Sequence, residues 1–476
     1  MVLSVGDILN VTGGKLLSGS EECVFLSLTI DSREIGERSL FVPIKGESSD
    51  GHDYIEKALQ GGAIGTLTEE PEAFEYYEDN HEDMDKVFIL VEDTVDALQR
   101  IGRACGDTIA MRAVGVTGSV GKTTTREMIF RALAPSFRTF VTGKNYNNRL
   151  GVPITLSSIP RDTETAVLEL GMNTPGELGL ISSLTNLDCA VITNIGDAHM
   201  EYYGSRETIA REKLTITNGF RSGDPSSKVL FLNGDDPVLR ALMEEIRPTV
   251  PYEIVTFGLH GDTTYSGLCV TCENGCYLFD FAKNGKPLVS VRLSALGEHN
   301  ILNAVAALAV ADFFGADLKK AAESLAEFTG FKGRLERKEQ NGVLFIDDTY
   351  NASPVSMKAG LKVLSEISYG SGDGRKIAVL GDMLELGDTS DDLHGSVGEY
   401  AASLPITDFF LVGEKAKKIG DALRKNGTHA RLHEETTRDE VTETLRETLR
   451  PGDIVYLKAS RRTELNKITE ALLTNG

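Results

Sequence analysis

The chain has 476 residues, 41% of them apolar and 25% charged, an ordinary globular composition that excludes global disorder. Its 49 basic and 71 acidic residues leave a net charge of −22. That field repels nucleic acid and anionic membrane surfaces, so neither is an expected partner. At about 150 residues per domain, the length predicts roughly three domains. The longest apolar run, 301–316, is broken by Asn303 and Asp312, so no segment reaches the roughly 20 apolar residues of a membrane helix. The first residues, MVLSVGDILN, carry no basic-then-apolar secretion pattern, and a cytoplasmic location is expected.

In chain order, residues 1–95 contain short apolar runs (VFLSLTI, LFVPI, AIGTLT, KVFILVED) separated by turn residues. They predict a small mixed α/β domain. Residues 69–85 hold nine Asp or Glu and read as a solvated helix or loop. From 96 to 328 the pattern alternates: AVGVT then TTTREMIFRALA, TAVLEL then PGELGLISSL, CAVITN then SRETIAREKLTI. Strand–helix alternation predicts a parallel sheet covered by helices. Residues 229–293 are richer in strands and turns, and HNILNAVAALAVADFF reads as a helix. In 329–476, VLFIDD, KIAVLGD, DFFLVG and DIVYLK read as buried strands of a second doubly wound sheet, whose ligands collect at the carboxyl strand ends.

Cys269, Cys272 and Cys276 are the one cysteine cluster among six cysteines. A zinc site needs a fourth ligand that the sequence lacks nearby. CVTCENGCYLFDF reads instead as a hairpin turning at Asn274-Gly275.

The strongest motif runs Val114-Gly-Val-Thr-Gly118-Ser119-Val120-Gly121-Lys122-Thr123-Thr124. A strand enters a glycine loop and a helix leaves it. Backbone N–H groups freed by glycine can approach phosphate oxygens, and the helix N-terminus favours negative charge. Lys122 would neutralise terminal phosphate oxygens, and the Thr123 hydroxyl would bind Mg²⁺. The usual longer motif requires glycine at 116, where Val116 stands. Two other strand ends carry Glu169 and His199; a carboxylate there suits Mg²⁺. Each of these two, read alone, is more often structural. Lys213, also read alone, is a solvated helix lysine.

TGSVGKTTT, GKNYNNRLGVP, LELGMNTPGE, NIGDAHMEYYGS with REK, GEHNILN, KGRLE and DDTYNASPVSM occur in the order found in Mur ligases. The chain resembles that family over nearly its whole length, and most closely its D-alanyl-D-alanine-adding branch. DSR with LFVPIKGESSDGHDYI resembles the family's UDP-sugar-binding domain. The sister enzyme adding the third residue carries DYAHTP and DNPR; neither is here. The resemblance implies an α/β fold of three domains: a UDP-sugar domain (1–95), a central P-loop-type ATPase domain (96–328) and a C-terminal Rossmann-like domain (329–476). It implies an ATP-dependent C–N ligase of peptidoglycan precursor synthesis, a monomer that joins D-alanyl-D-alanine to UDP-N-acetylmuramoyl-tripeptide.

Residue by residue, the resemblance implies that Gly118, Ser119, Val120, Gly121, Lys122, Thr123 and Thr124 hold the phosphates, with Thr123 on the first of two Mg²⁺ ions. Glu169 and His199 would hold the second ion, and a carbamylated Lys213 would support it. Asn300 and Asn303 would lie near adenine. Arg334 and Asp348 would close on the nucleotide, away from Lys122 in the ligand-free chain. Ser32, Arg33, Asn147 and Asn148 would face the UDP-sugar. The sequence departs at Lys458-Ala459-Ser460-Arg461, where the family has K-G-S-R; losing the glycine is expected to tighten that loop. It also departs at His394-Gly395-Ser396-Val397-Gly398, a looser form of the family's helix motif. Rival readings are another ligase on this framework (a sister Mur enzyme, a folylpolyglutamate or cyanophycin-type synthetase) and a non-catalytic nucleotide-binding switch.

Overall fold

The computed structural model describes residues 2–473 apart from 47, 81–84, 144, 198–199, 260–261, 274–275, 371 and 434–436. Three large sheets follow one another along the chain, accompanied by a two-stranded pair formed by Leu3–Ser4 and Val24–Phe25.

The first sheet has five strands in the order Lys15–Ser18, Val87–Leu90, Gly65–Thr68, Ser39–Phe41, Ser27–Thr29. Only the edge strand Lys15–Ser18 runs antiparallel. Helix Thr94–Asp107 buries Ala97, Leu98, Ile101 and Cys105 in the same core. The acidic stretch forms the helix Pro71–Asn80, which buries Tyr77 and leaves its acids facing outward or half-exposed.

The second sheet has nine strands. Parallel strands Thr139–Val141, Thr165–Glu169, Arg112–Thr117, Cys189–Ile192, Val229–Asn233 and Glu253–Gly258 lead to Tyr265–Glu273, from which an antiparallel meander (Cys276–Lys283, Lys286–Leu293) continues. Strands such as Thr165–Glu169 and Cys189–Ile192 are buried at every residue, because helices cover both faces of a parallel sheet and no face needs polar residues. Each such Val, Ile or Leu contributes about 1.5–3 kcal/mol by leaving water. Helix His299–Phe313 is buried around nearly its whole circumference, packed against this sheet and against helix Lys122–Leu133. Its alanines let it pack on all sides.

The third sheet has six strands, ordered Glu336–Gln340, Val343–Asp347, Ile454–Lys458, Lys376–Gly381, Asp408–Val412, Arg431–Leu432, and is parallel after its first hairpin. Among the described residues no helix is long and apolar enough to cross a membrane. The expected hairpin of Tyr265–Glu273 with Cys276–Lys283 is present; its turn, Asn274-Gly275, lies outside the described residues. The cysteines are free thiols, and none joins a metal-binding group among the described residues.

Candidate functional site

Parallel register places three strand ends side by side. Glu169 pairs with Val116, and Ile192 with Thr117. The loop 118–121, the Glu169 carboxylate and the segment 193–197 therefore emerge at one edge of the sheet, where the backbone turns away and leaves room.

The loop's shape is set by glycine. Gly121 has φ +81° at the start of helix Lys122–Leu133, and Gly118 has φ +153°. A Cβ on Gly118 would fall 1.9 Å from Thr193 Oγ1. Thr193 Oγ1 and Asn194 Nδ2 instead donate to Val120 O at 2.7 and 2.9 Å, and Asn194 Oδ1 accepts from Val120 N–H at 3.0 Å. Ser119 N–H donates to Asn194 O at 3.0 Å, and Ser119 Oγ accepts from Gly196 N–H at 2.8 Å. The loop is thus braced from the neighbouring strand end.

Lys122 Nζ donates to Gly118 O at 2.8 Å. Burial pushes this ammonium below its usual range, opposed by Glu169 and reinforced by Arg334. Thr123 Oγ1 donates to Glu169 Oε1 at 3.3 Å and accepts from Arg334 Nη2 at 3.3 Å. Glu169 is 3% exposed. Its Oε2 meets Arg126 Nη1 at 3.2 Å, an ion pair buried on both sides, and its Oε1 accepts from Asn147 Nδ2 at 2.8 Å. A buried carboxylate needs such compensation.

Lys213 was read from sequence alone as solvated. The structure corrects this: it is 1% exposed, with Met172 Sδ at 3.7 Å as its hydrogen-bond partner. Helix Arg206–Leu214 buries this residue together with Ile209 and Ala210. Burial drives the Lys213 amine well below its usual range, and the nearby Lys122 charge pushes the same way.

Arg334 rests against Thr123, so the third domain's arginine meets the phosphate loop. Its guanidinium lies over the Tyr350 ring, 4.2 Å from the centroid, and this stacking aims it inward. Asp348 is engaged within the third domain. Its Oδ2 accepts from Lys458 Nζ at 2.6 Å and Tyr456 OH at 3.0 Å. Asn300 and Asn303 form a chain: Thr125 Oγ1 donates to Asn303 Oδ1, Asn303 Nδ2 to Asn300 Oδ1, and Asn300 Nδ2 to Leu296 O.

Asn147, expected on the sugar side, holds Glu169. Asn148 caps helix Gly151–Ser158 by accepting from Gly151 N–H at 2.9 Å. Arg33 is exposed and pairs with Asp31 at 2.7 Å; the Arg33 hydrogen bonds hold the Asp31 carboxyl down at about 2. Ser32, beside it, is half-buried. Thr124 lies half-buried in the helix's first turn. His199 lies outside the described residues.

Ala459 has ordinary backbone rather than a left-handed one. Its methyl is buried where Gly381 lacks a side chain, since a Cβ there would fall 2.7 Å from it. The methyl therefore fits beside Gly381 without left-handed backbone. His394 is buried; its Nδ1–H donates to Ser390 O at 2.7 Å, and its Nε2 accepts from Met383 N–H at 3.0 Å. It braces the loop after Lys376–Gly381.

Sequence reasoning missed Arg126, Thr193, Asn194 and Tyr350. Arg126 carried a usable signal, being four residues after Lys122 and so on the same helix face. The others carried none that distinguishes them from loop residues.

Three family models match the chain: the Mur ligase family catalytic domain over residues 25–104, the Mur ligase middle domain over 116–311, and the Mur ligase glutamate ligase domain over 333–461. The UDP-N-acetylmuramoyl-tripeptide–D-alanyl-D-alanine ligase of Bacillus subtilis is 35% identical, covering 99% of this chain and 98% of its own. A crystal structure of MurF from Acinetobacter baumannii superposes with a TM-score of 0.86 at 29% identity, covering 99% of both chains. MurF from Thermotoga maritima, solved in complex with ADP, gives 0.79 at 27% identity over 94% of this chain and 96% of that one. Residues from three consecutive domain models, a braced glycine loop and likeness along both full lengths lead to one conclusion: the chain belongs to the Mur ligase family.

Proposed function

We propose that this chain uses ATP to join D-alanyl-D-alanine to UDP-N-acetylmuramoyl-tripeptide, working as a cytoplasmic monomer in peptidoglycan precursor synthesis. The observation that carries this reading is the meeting of Lys122, Thr123, Glu169 and the third-domain Arg334 at one sheet edge. Three functional divisions, 1–95 for the UDP-sugar, 96–328 for ATP and 329–476 for closure, belong to the reading. Each keeps one large sheet whole.

A carboxylate does not condense with an amine in water until it gains a leaving group. The γ-phosphoryl of ATP passes to the tripeptide's terminal carboxylate, breaking the β–γ P–O bond and giving an acyl phosphate and ADP. The dipeptide's neutral amine attacks the acyl carbon, a tetrahedral intermediate forms, and phosphate leaves with the bonding pair. Catalysis is then mostly positioning and charge stabilisation. Loop N–H groups 118–123 and Lys122 hold the phosphates, while Arg334 covers the transferring group from the third domain. Asn300, Asn303 and Asp348 lie on the nucleoside side, and Ser32, Arg33 and Asn148 on the sugar side.

The Thr123 hydroxyl and Glu169 carboxylate, 3.3 Å apart, are the hard oxygen donors that magnesium prefers. Thr123 would hold one ion, and Glu169, His199 and Lys213 a second. The two ions would supply charge neutralisation between phosphates and the substrate carboxylate. Asn147 and Arg126 orient Glu169 for this role. Lys213, whose burial disfavours the ammonium, is biased toward the amine form that adds to CO₂; the new N–C bond would yield a carbamate and release a proton. That anion would replace a lone amine in a dry pocket with a metal ligand.

The test is a panel of amines and UDP-peptides with ADP release as readout. Turnover that requires both D-alanyl-D-alanine and the UDP-tripeptide supports the proposal. Turnover with another amine, or ATP turnover without either, refutes it.

A further inference from the structure

Tyr456 and Lys458 lie two residues apart on strand Ile454–Lys458, so both side chains leave the same face of the third sheet. Both are buried, at 0% and 2% exposure. They converge on Asp348, which directly follows the neighbouring strand Val343–Asp347. Asp348 Oδ2 accepts from Lys458 Nζ at 2.6 Å and from the Tyr456 hydroxyl at 3.0 Å. Lys458 Nζ also donates to Asn351 O at 3.1 Å. The phenol has room to reach Asp348 because helix Pro354–Glu366 carries Gly360 beside it; a Cβ there would collide with the Tyr456 hydroxyl oxygen.

The other oxygen of this carboxylate serves a different loop. Asp348 Oδ1 accepts from Leu335 N–H at 3.3 Å. Leu335 has φ +51°, a left-handed backbone that is costly for any residue with a Cβ. Such a conformation persists only where its surroundings hold it, and the residue before it shows what the turn carries. Arg334 sits between two backbone anchors from one loop: Leu335 N–H on Asp348, and Gly333 O, which accepts from Tyr350 N–H at 3.0 Å. Its guanidinium lies over Tyr350 and donates to Thr123 Oγ1. The path from the buried phenol to the phosphate loop is therefore continuous: Tyr456, Asp348, Leu335, Arg334, Thr123.

A carboxylate held by Lys458 alone can swing about that contact, because a lysine ammonium sits on a flexible stem. A phenol on a packed ring fixes a second direction and leaves Oδ1 facing Leu335. We infer that Tyr456 is a positioning residue: by orienting Asp348 it holds the left-handed turn at Leu335 and so aims Arg334 at the transferring phosphoryl group. The inference rests on the ligase reading above, in which Arg334 covers that group. It adds a residue that acts from the core of the third domain without touching a substrate.

The experiment compares the wild-type enzyme with Tyr456→Phe. This substitution keeps the ring and the Asp348–Lys458 pair, so no buried charge loses its partner and the fold is retained. Three quantities are measured: kcat for ADP release with all substrates present, ADP affinity by calorimetry, and the Arg334 Nε–H signal in ¹⁵N-arginine NMR, assigned with Arg334→Lys. A misaimed group at the reacting atoms is expected to lower kcat roughly 10- to 100-fold. ADP, which lacks the transferred group, binds as it does to the wild type. The Arg334 signal moves toward that of a solvated arginine as its stacking on Tyr350 loosens. An unchanged kcat, or an Arg334 signal that does not move, overturns the inference. Weaker ADP binding with an unmoved signal assigns Tyr456 to a direct contact between Asp348 and the nucleotide, and overturns it too. None of these results touches the ligase reading, which falls if the wild type shows no turnover dependent on dipeptide and UDP-tripeptide; the NMR signal then still decides whether Tyr456 aims Arg334.

Discussion

Lys213→Met is the sharpest probe of the site's electrostatics. Methionine has nearly the length of lysine, carries no charge, and would meet Met172 Sδ, which is the amine's partner at 3.7 Å. In the folded chain burial lowers the lysine's pKa well below 10.5, and the Lys122 charge adds to the effect. The unfolded chain, in water, binds the proton more readily, so stability rises with pH between the folded and unfolded values. The penalty is complete below the folded-state value, shrinks through that window, and vanishes above 10.5. Its size is about 1.4 kcal/mol for each pH unit by which burial displaces the amine. For a cooperative unit the size of the central domain, each kcal/mol is worth about 2–4 °C in Tm. Differential scanning calorimetry in CO₂-free buffer should show Lys213→Met melting higher than wild type at pH 6, with the gap closing as pH approaches 10.5. An equal or lower Tm at pH 6, or a gap that widens with pH, would refute the reasoning. The variant should have no ligase activity, so a stabilised dead enzyme is the expected signature of a site held in a costly state for its chemistry.

Lys122→Ala should lose nearly all ADP release while near-ultraviolet circular dichroism stays unchanged; near-normal turnover would remove the glycine loop from the mechanism. Lys213→Ala should be inactive and partly restored by short-chain carboxylic acids, which can occupy the carbamate's place; unchanged activity without them argues against a carbamate. Ala459→Gly should keep its activity, because Ala459 has ordinary backbone, yet unfold about 1–2 kcal/mol more easily through the lost buried methyl and the freer unfolded chain. Denaturant titration followed by far-ultraviolet circular dichroism checks this; a more active or more stable variant contradicts it.

Much of this protein was legible along the chain because the relevant physics is local. A strand, a glycine turn and a helix are set by contiguous residues, so the loop 118–123, the alternating strands and helices and the helix His299–Phe313 could be read from apolar period and glycine position. Shared motifs carried the family assignment in the same way. What joins residues far apart in sequence could not be read. Asn147 and Arg126 on Glu169, and Arg334 on Thr123, are meetings across 22, 43 and 211 positions. They exist because parallel register aligns strand ends and because the third domain reaches the phosphate loop through Arg334. Lys213 shows the division within one side chain. Its helix is predictable, but a helix has an inner and an outer face, and only the packing of neighbouring elements decides which face keeps water. That choice turns an ordinary surface ammonium into a desolvated amine.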